Sequence, residues 1–345
     1  MTTTTSLATH YEQFLELLTR DHRTAADDGD ASLRARYGER VDPTGAAQPI
    51  VLTRDEWIRN QIDLTLALGR LLTEDDVVVS AVPYELSFIG AEVDRVIEMV
   101  GASVISVGTS RTICPMPRLL GLIEQYEVTA LVCSPSFAAE LAGLAASLGK
   151  QPAHSTIRTI VCVGEACSTE RLDRIGAAWA AKTSALYGTP STPTVAVACD
   201  HGALHLCDHR LRAEVRGGSR GELILDGSPT GEVVELWSAE RRCACGSPSR
   251  VLVPLGSVAS AVRGPDGLVS ALDVERIVFG HRRLAPHFAC AVRDGTFHVT
   301  CAVADSGAVD AGAMRRAIRG AIDEALGVEA EVTLVGVQDW STAPS

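Results

Sequence analysis

Short hydrophobic runs alternate with helical patterns through the middle of the chain. The runs are rich in Val and Ile and lack polar alternation, which is typical of strands buried on both faces of a sheet. Between them, apolar residues recur at helical spacing, and several helical segments end at a glycine. The alternation predicts βαβ units, and therefore a parallel sheet covered by helices. The runs are DVVVSAV (76–82), ASVISVG (102–108), TALVCSP (129–135), IRTIVCVG (157–164) and KTSALYG (182–188).

The pattern changes after residue 190. From about residue 190 to 262, apolar and polar residues alternate between glycine-containing turns, which predicts an antiparallel β subdomain. Further on, a hairpin pattern with Asp294-Gly295 at its turn precedes a helical pattern and a closing strand. We therefore predict an α/β fold with three parts. They are a large domain (1–262), a linker or hinge (263–281) and a small α+β C-terminal domain (282–345).

Composition and charge narrow the range of partners. The 345 residues are 46% hydrophobic, which is enough for a sizeable core, and carry a formal net charge of −12. Because no basic run is longer than Arg241-Arg242, we expect neither nucleic-acid nor membrane binding. The N-terminus lacks the pattern of a secretion signal, so we expect a cytoplasmic protein with reduced cysteines. Homodimer formation is left open.

The stretch RRCACG contains two cysteines in C-x-C spacing within a polar, turn-rich segment. A disulfide between residues i and i+2 would be strained, which favours metal ligation over a redox pair. Upstream, CDHGALHLCDH offers Cys199 and His205, and Cys243 with Cys245 would complete a closed Cys₃His zinc site. His201, Cys207 and His209 are rival ligands. Packing of the cysteines as small hydrophobic residues is the other interpretation.

Several strings, in collinear order, together resemble the phenylacetate-CoA ligase family of adenylate-forming enzymes. The resemblance implies a large substrate-holding domain, a small mobile C-terminal domain, and a structural zinc on Cys199, His205, Cys243 and Cys245. The N-terminal part is shorter than is usual for that family. The matching strings are IVLTRDEWIRN, VPYELSFIGAEVDRVIEMVGASVISVG, LIEQYEVTALVCSPSFAAELA, VGEACSTERL, ALYGTPSTP, CDHGALHLCDH, GELIL, RRCACG and PLGSV.

Residues for nucleotide chemistry depart from the family pattern. The phosphate loop aligns with DPTGAAQP, which keeps Thr44 and Gly45 but has Gln48-Pro49 in place of Lys-Pro. The ribose-binding string has TGE ending at Glu232 as its counterpart, unless that segment is an ordinary hairpin turn. The family's catalytic C-terminal lysine has no counterpart, because no lysine follows Lys182. We therefore expect a degenerate ATP site, with ATP, Mg²⁺ and CoA as candidate cofactors only.

Candidate substrate residues follow the predicted parallel strands. Ligands commonly bind at the carboxyl ends of such strands. Glu165 follows one of these strands and resembles the acid that lies near the substrate in that family. Core packing of the aromatic residues, and helix-dipole stabilisation of Glu165, are the structural alternatives. We predict catalytic roles for Glu165, Tyr187 and Thr189. We predict substrate contacts for Tyr84, Phe88, Ile89, Gly90, Gly164 and Gly188.

These observations predict a divergent ligase-like protein of bacterial specialised metabolism. It would bind an aryl or acyl carboxylate, or its activated form, and carry out acyl activation or transfer. A carrier protein is a candidate partner. The alternative is a non-catalytic pseudoenzyme that binds a small acyl ligand or a partner protein.

Overall fold

A computed structural model describes residues 34–41, 46–207, 211–238, 240–265, 267–304 and 310–342. Its first element is an antiparallel hairpin of β1 (Arg34–Val41) and β2 (Ala47–Thr53). A two-stranded hairpin is marginal alone, so its stability depends on what it packs against. The ring of Phe88 packs against Gly38 of β1, and the Glu39 N–H donates to the Leu86 carbonyl. The hairpin is thereby fixed over the loop that precedes residue 89.

The Val- and Ile-rich runs form a parallel sheet, as predicted, and the side chains of its three central strands are buried on both faces. Its parallel strands, β3 (Val77–Ala81), β4 (Ser103–Ser106), β5 (Ala130–Cys133), β6 (Thr159–Cys162) and β7 (Lys182–Tyr187), lie in the order β4-β3-β5-β6-β7. Two short antiparallel strands, β8 (Ala196–Ala198) and β9 (Leu204–Leu206), continue the sheet at β7. The segment around residues 196–206, predicted as part of the β subdomain, thus extends the edge of the parallel sheet.

Helices cover both faces of this sheet and begin where the sequence supplies caps. Thr53 forms a capping box with Glu56, while Ser134 and Ser168 accept hydrogen bonds from the first-turn N–H groups of their helices. Across the described part of the chain, every helix is too short or too polar to span a bilayer. The helices that flank the sheet are α1 (Arg54–Leu68), α2 (Ile89–Met99), α3 (Met116–Gln125), α4 (Pro135–Ser147) and α5 (Thr169–Trp179).

An antiparallel sheet follows, as the alternation of apolar and polar residues predicted. Leu223, Val234 and Leu252 point into its core with 1% exposure or less. Its strands are β10 (Ala213–Arg216), β11 (Arg220–Leu225), β12 (Ser228–Leu236) and β13 (Leu252–Ser257). The segment predicted as a linker or hinge forms a second hairpin and a helix. These elements are β14 (Ala261–Gly264), β15 (Gly267–Ser270) and α6 (Ala271–Gly280).

The C-terminal domain has the predicted hairpin, helix and closing strand. Asp294 and Gly295 both have positive φ and join β16 (Leu284–Arg293) to β17 (Thr296–Val303). Helix α7 (Ala311–Leu326) is capped by Asp310 and ends at Gly327 in the left-handed region. The last strand, β18 (Ala330–Gly336), then pairs in parallel with β17. The predicted α/β fold class is confirmed.

Two arginines of α5 hold α6 and the start of β16 against the helices of the parallel sheet. Arg171 is 2% exposed, and its guanidinium donates to Glu275 Oε2 (3.2 Å) of α6 and to the Pro286 carbonyl (2.9 Å). Arg174 donates to the carbonyls of Phe279 (2.6 Å) and His281 (2.9 Å). A buried guanidinium that has lost its water needs all of these acceptors. Loss of these contacts would therefore leave polar groups without partners on both sides of the contact.

We expect Arg171→Met to lower the free energy of unfolding by about 3–5 kcal/mol, because it leaves the Glu275 carboxylate buried without its cation. Urea denaturation at pH 7 measures the change. Lys182→Met is the matched control: the Lys182–Asp200 ion pair is exposed, so its loss costs less than about 1 kcal/mol. Equal effects of the two substitutions would contradict the role assigned to Arg171.

Candidate functional site

The carboxyl ends of β6 and β7 border a small cavity of about 90 Å³. Gly164 and Glu165 follow β6, while Tyr187 ends β7 and Gly188 follows it. Glu232 of β12 reaches the same cavity from the antiparallel sheet. The structure therefore brings five of the predicted site residues to one place. Drug-sized ligands usually occupy about 300–1,000 Å³, so the cavity as it stands is small.

The Glu165 carboxylate is held at the mouth of this cavity by groups from two helices. Its Oε2 accepts from the Ser136 hydroxyl (2.7 Å) and the Ser136 N–H (3.2 Å) at the start of α4. Arg171 Nη1 lies 3.9 Å from the same oxygen, and Arg171 also donates to the Ser136 hydroxyl. The side chain stays 36% exposed. Its position is thus fixed, while solvent or a ligand can still reach it.

Tyr187 and Glu232 give the cavity a desolvated interior. Burial, followed by the nearby Glu232 charge, raises the pKa of Tyr187, whose hydroxyl has no hydrogen-bond partner. Burial also raises the pKa of Glu232 above its usual range. Glu232 lies within strand β12; the hairpin turn is formed by Asp226 and Gly227. A polar ligand atom placed between the two side chains would give either of them a hydrogen-bond partner and so offset the cost of its burial.

Gly188 and Thr189 begin a tight turn after β7. A Cβ on Gly188 would lie 2.1 Å from the Pro193 carbonyl oxygen, so only glycine fits there. Thr189 closes the turn with Thr192, since each N–H donates to the other's carbonyl (2.9 and 3.1 Å). The Thr189 hydroxyl also accepts from the Thr192 N–H (3.2 Å). The Thr189 hydroxyl, which we predicted to be catalytic, thus already forms a hydrogen bond within its own turn.

The other predicted substrate residues lie outside this cavity. The Tyr84 ring covers Gly90, its hydroxyl donates to Asp94 (2.7 Å), and burial raises its pKa to about 12. Phe88 is 2% exposed against the hairpin, and Ile89 packs on the core. The contacts of Phe88 correspond to the core-packing alternative stated for the aromatic residues Tyr84 and Phe88. The predicted nucleotide-loop residues Thr44 and Gly45 lie outside the described residues.

A cluster of four side chains joins β9 to the loop between β12 and β13. The ligand atoms of Cys199, His205, Cys243 and Cys245 all lie within 4.8 Å of one another. The Sγ atoms of Cys199 and Cys243 are 3.8 Å apart, and Cys245 Sγ is 3.2 Å from His205 Nε2. Two sulfurs bound at ~2.3 Å to one tetrahedral zinc would be about 3.8 Å apart. Three sulfurs and one imidazole nitrogen thus match the donor set of a closed zinc site.

Hydrogen bonds around the cluster orient its members. His205 Nδ1 is 2.9 Å from the Ser249 carbonyl, which places the proton on Nδ1 and leaves the Nε2 lone pair facing the sulfurs. The Cys245 N–H, together with His205 and the other thiols, lowers the pKa of Cys243 to about 6. Gly246 has positive φ, as its place after C-x-C predicted. Among the described residues, the rivals His201 and Cys207 are not in the cluster, and His209 lies outside the described residues.

Sequence reasoning missed the residues that hold Glu165. Ser136 and Arg171 are separated from it by 29 and 6 positions, and neither belongs to a motif quoted for the chemistry. One signal was available for Ser136. It begins the helix after β5, and the carboxyl ends of parallel strands meet at one edge of the sheet.

Comparisons with known proteins agree with this architecture. A family model described as AMP-binding enzyme matches residues 44–227. A 2-hydroxyisobutyryl-CoA ligase in complex with 2-HIB-AMP has a similar structure, with a TM-score of 0.73 at 15% identity over 88% of this chain and 70% of that chain. A benzoate CoA ligase from Burkholderia xenovorans LB400 gives 0.64 at 15% identity, over 91% and 66%. An amide bond synthetase from Marinactinospora thermotolerans gives 0.62 at 16%, over 88% and 65%. No curated protein matches the sequence.

We expect Glu232→Gln to raise the free energy of unfolding at pH 7. Because burial raises the folded-state pKa of this carboxyl, its favourable contribution exists at low pH and is lost as pH rises through that pKa. The permanently neutral Gln avoids that loss, so the gain shrinks towards pH 4. Urea denaturation across pH 4–8 measures it. Exposed Glu324→Gln, the control, should change stability by less than about 0.5 kcal/mol at any pH; a gain for Glu232→Gln that persists at pH 4 would contradict the desolvation argument.

Proposed function

The chain belongs to the AMP-binding enzyme family, and from this premise we propose that it binds an aryl or acyl group in activated, uncharged form. The proposed place is the cavity beside Glu165, at the carboxyl edge of the parallel sheet. Ordinary ATP-dependent activation of a free carboxylate is not part of the proposed function. As part of the same proposal, the chain is related to the phenylacetate-CoA ligase family. The collinear sequence strings that resemble that family support this relation.

The charge of the cavity carries this proposal. Among the described residues, its lining includes the carboxylates of Glu165 and Glu232 and contains no lysine or arginine. Arg171 contacts Glu165 from outside this lining, at 3.9 Å. Two like charges near a polyphosphate raise its energy, whereas adenylation depends on cations and N–H donors that stabilise developing negative charge. The same repulsion disfavours a free carboxylate. An ester, thioester or amide carries no such charge and can accept or donate hydrogen bonds there.

The C-terminal domain supports the same proposal. In the family that the sequence resembles, this domain is mobile and supplies a catalytic lysine. No lysine follows Lys182 in this sequence, and the contacts of Arg171 and Arg174 fasten the domain to α5. A fastened domain without a lysine can stabilise the large domain that holds the site. It has no group to perform the lysine's electrostatic role.

Two activities remain for a bound acyl group. Holding it without chemistry is favoured by the cysteines near the site, because burial raises the pKa of Cys167 well above its ordinary value and keeps it protonated. Transfer to an acceptor is the second candidate, favoured by the exposed part of Glu165, which could take a proton from an incoming nucleophile. CoA or a carrier protein would be the acceptor.

We also propose that Cys199, His205, Cys243 and Cys245 bind one structural Zn²⁺. The four donors leave no open position, so the ion would crosslink the edge of the parallel sheet to the β12–β13 loop. It would supply stability to the fold and take no part in catalysis.

Calorimetric titration tests the acyl proposal with three probes at pH 7: S-benzoyl-N-acetylcysteamine, benzoate, and ATP with Mg²⁺. We expect the neutral thioester to bind at least tenfold more tightly than benzoate, and ATP to give no heat of binding. Glu232→Gln should narrow the gap between thioester and benzoate, because it removes one repelling charge, while Glu324→Gln should not. Pyrophosphate exchange above background with any aryl or acyl acid would refute the proposal.

Metal analysis of protein purified without chelators should find one zinc per chain. Cys243→Ser with Cys245→Ser should abolish it and reduce the free energy of unfolding by several kcal/mol, on the order expected for a structural zinc. Cys207→Ser is the matched control, since Cys207 is outside the cluster, and should retain the metal. Zinc-free protein with unchanged stability in both variants would rule the site out.

A further inference from the structure

A second cavity, of about 460 Å³, lies between the large domain and the C-terminal domain. Residues of α4 and α5 form one wall, and residues of β16 and the segment after β18 form the other. Its volume is within the usual range for small-molecule sites. None of the residues named above for the acyl site lines it, and the proposed function leaves it unused.

The walls of this interdomain cavity are almost entirely apolar and small. Ala139, Ala142, Gly143 and Ala146 face it from α4, and Ala285 faces it from β16. In the part of the chain that the structure describes, no Asp, Glu, Lys or Arg lines the cavity, although 21% of the chain is charged. Small side chains leave the volume open, and an uncharged lining disfavours phosphates and carboxylates, whose charge would lose its water without gaining a partner. The walls suit an uncharged, mainly apolar molecule.

Three polar side chains, Ser147, His287 and Gln338, interrupt this apolar surface, and His287 is the buried one among them. His287 lines the cavity, is 4% exposed, and has its Nε2–Cε1 edge towards Gly143, where an added Cβ would lie 3.1 Å from Nε2. Its buried Nδ1 has no hydrogen-bond partner, and an unpaired buried polar atom is costly. The Trp340 ring fixes the imidazole from the side, with centroids 5.3 Å apart. Burial, with Arg171 nearby, lowers the pKa of His287 to about 4, so the ring is neutral at pH 7.

We propose that the interdomain cavity is a binding site for a small, uncharged aromatic molecule with one hydroxyl group, which forms a hydrogen bond to the His287 imidazole. The aromatic body fills the space between the alanines of α4 and the start of β16. The hydroxyl meets the Nε2 atom, on the ring edge that lies towards Gly143 of the cavity wall.

The position of the cavity gives the ligand a second effect. One wall belongs to each domain, so the site is complete only while the C-terminal domain is docked on α4 and α5. A molecule that binds the docked arrangement alone stabilises it by mass action. Occupancy would therefore reinforce the contacts that Arg171 and Arg174 make.

Fluorine NMR of the probe 4-fluorophenol, titrated with the full chain at pH 7, tests this proposal. We expect saturable broadening of the probe signal by the wild-type protein. Ala146→Phe should weaken binding at least tenfold, because the added ring buries its apolar surface in the cavity. Ala317→Phe, at an exposed position of α7 outside the cavity, should leave binding unchanged.

A second variant tests the hydrogen bond alone. His287→Phe keeps the ring and removes both nitrogens, and we expect it to weaken 4-fluorophenol about two- to tenfold, the value of one hydrogen bond. Binding of fluorobenzene should not weaken. The charged analogue 4-fluorobenzoate should not compete for the cavity. Absence of saturable binding to wild-type protein, or equal affinities of wild type and Ala146→Phe, would overturn the proposal.

The acyl proposal can fail separately. S-Benzoyl-N-acetylcysteamine is assigned to the cavity at Glu165, so Ala146→Phe should leave its affinity unchanged. Loss of thioester binding with retained 4-fluorophenol binding would refute the acyl site only, and the reverse result would refute the interdomain site only.

Discussion

The buried guanidinium of Arg171 is the constraint on which the arrangement of the site depends. A cation without water must be surrounded by acceptors, and this one takes them from α4, α6 and β16. Its contact with Ser136 places the hydroxyl that holds Glu165. The same side chain thus positions an acid at the sheet edge and holds α6 and the start of β16 in place. Both cavities lie against elements that this one buried cation contacts.

Much of the fold could be predicted from sequence because its signals are local. Continuous Val/Ile runs marked the parallel strands, Asp294-Gly295 marked a hairpin turn, and Gly246 marked the bend after C-x-C. Which strands pair with each other was harder to predict from the sequence. The β8–β9 hairpin alternates like the antiparallel strands that follow it, yet it pairs with β7 and extends the parallel sheet. Nothing in a short alternating segment specifies which of two available edges it joins.

The candidate site could be predicted only in part from the sequence, for the same reason. Glu165, Tyr187 and Glu232 follow or lie in recognisable strands, so topology brings them together. Phe88 has the same sequence signal, but the hairpin packs over it and buries it. Ser136 and Arg171 contribute through contacts that span 29 to 115 positions, which no local pattern records. The closing of the interdomain cavity depends on such contacts as well.

The cysteine cluster has a consequence for the unfolded chain. Cys199 and Cys243 are 44 positions apart, so a metal that holds both closes a long loop. Closure of such a loop removes conformational entropy from the denatured ensemble, as a disulfide would, but without an oxidising environment. The crosslink would form and release with the supply of the ion. The lifetime of this protein in a cell would then depend on how much of the metal ion is available, independently of any molecule that the two cavities bind.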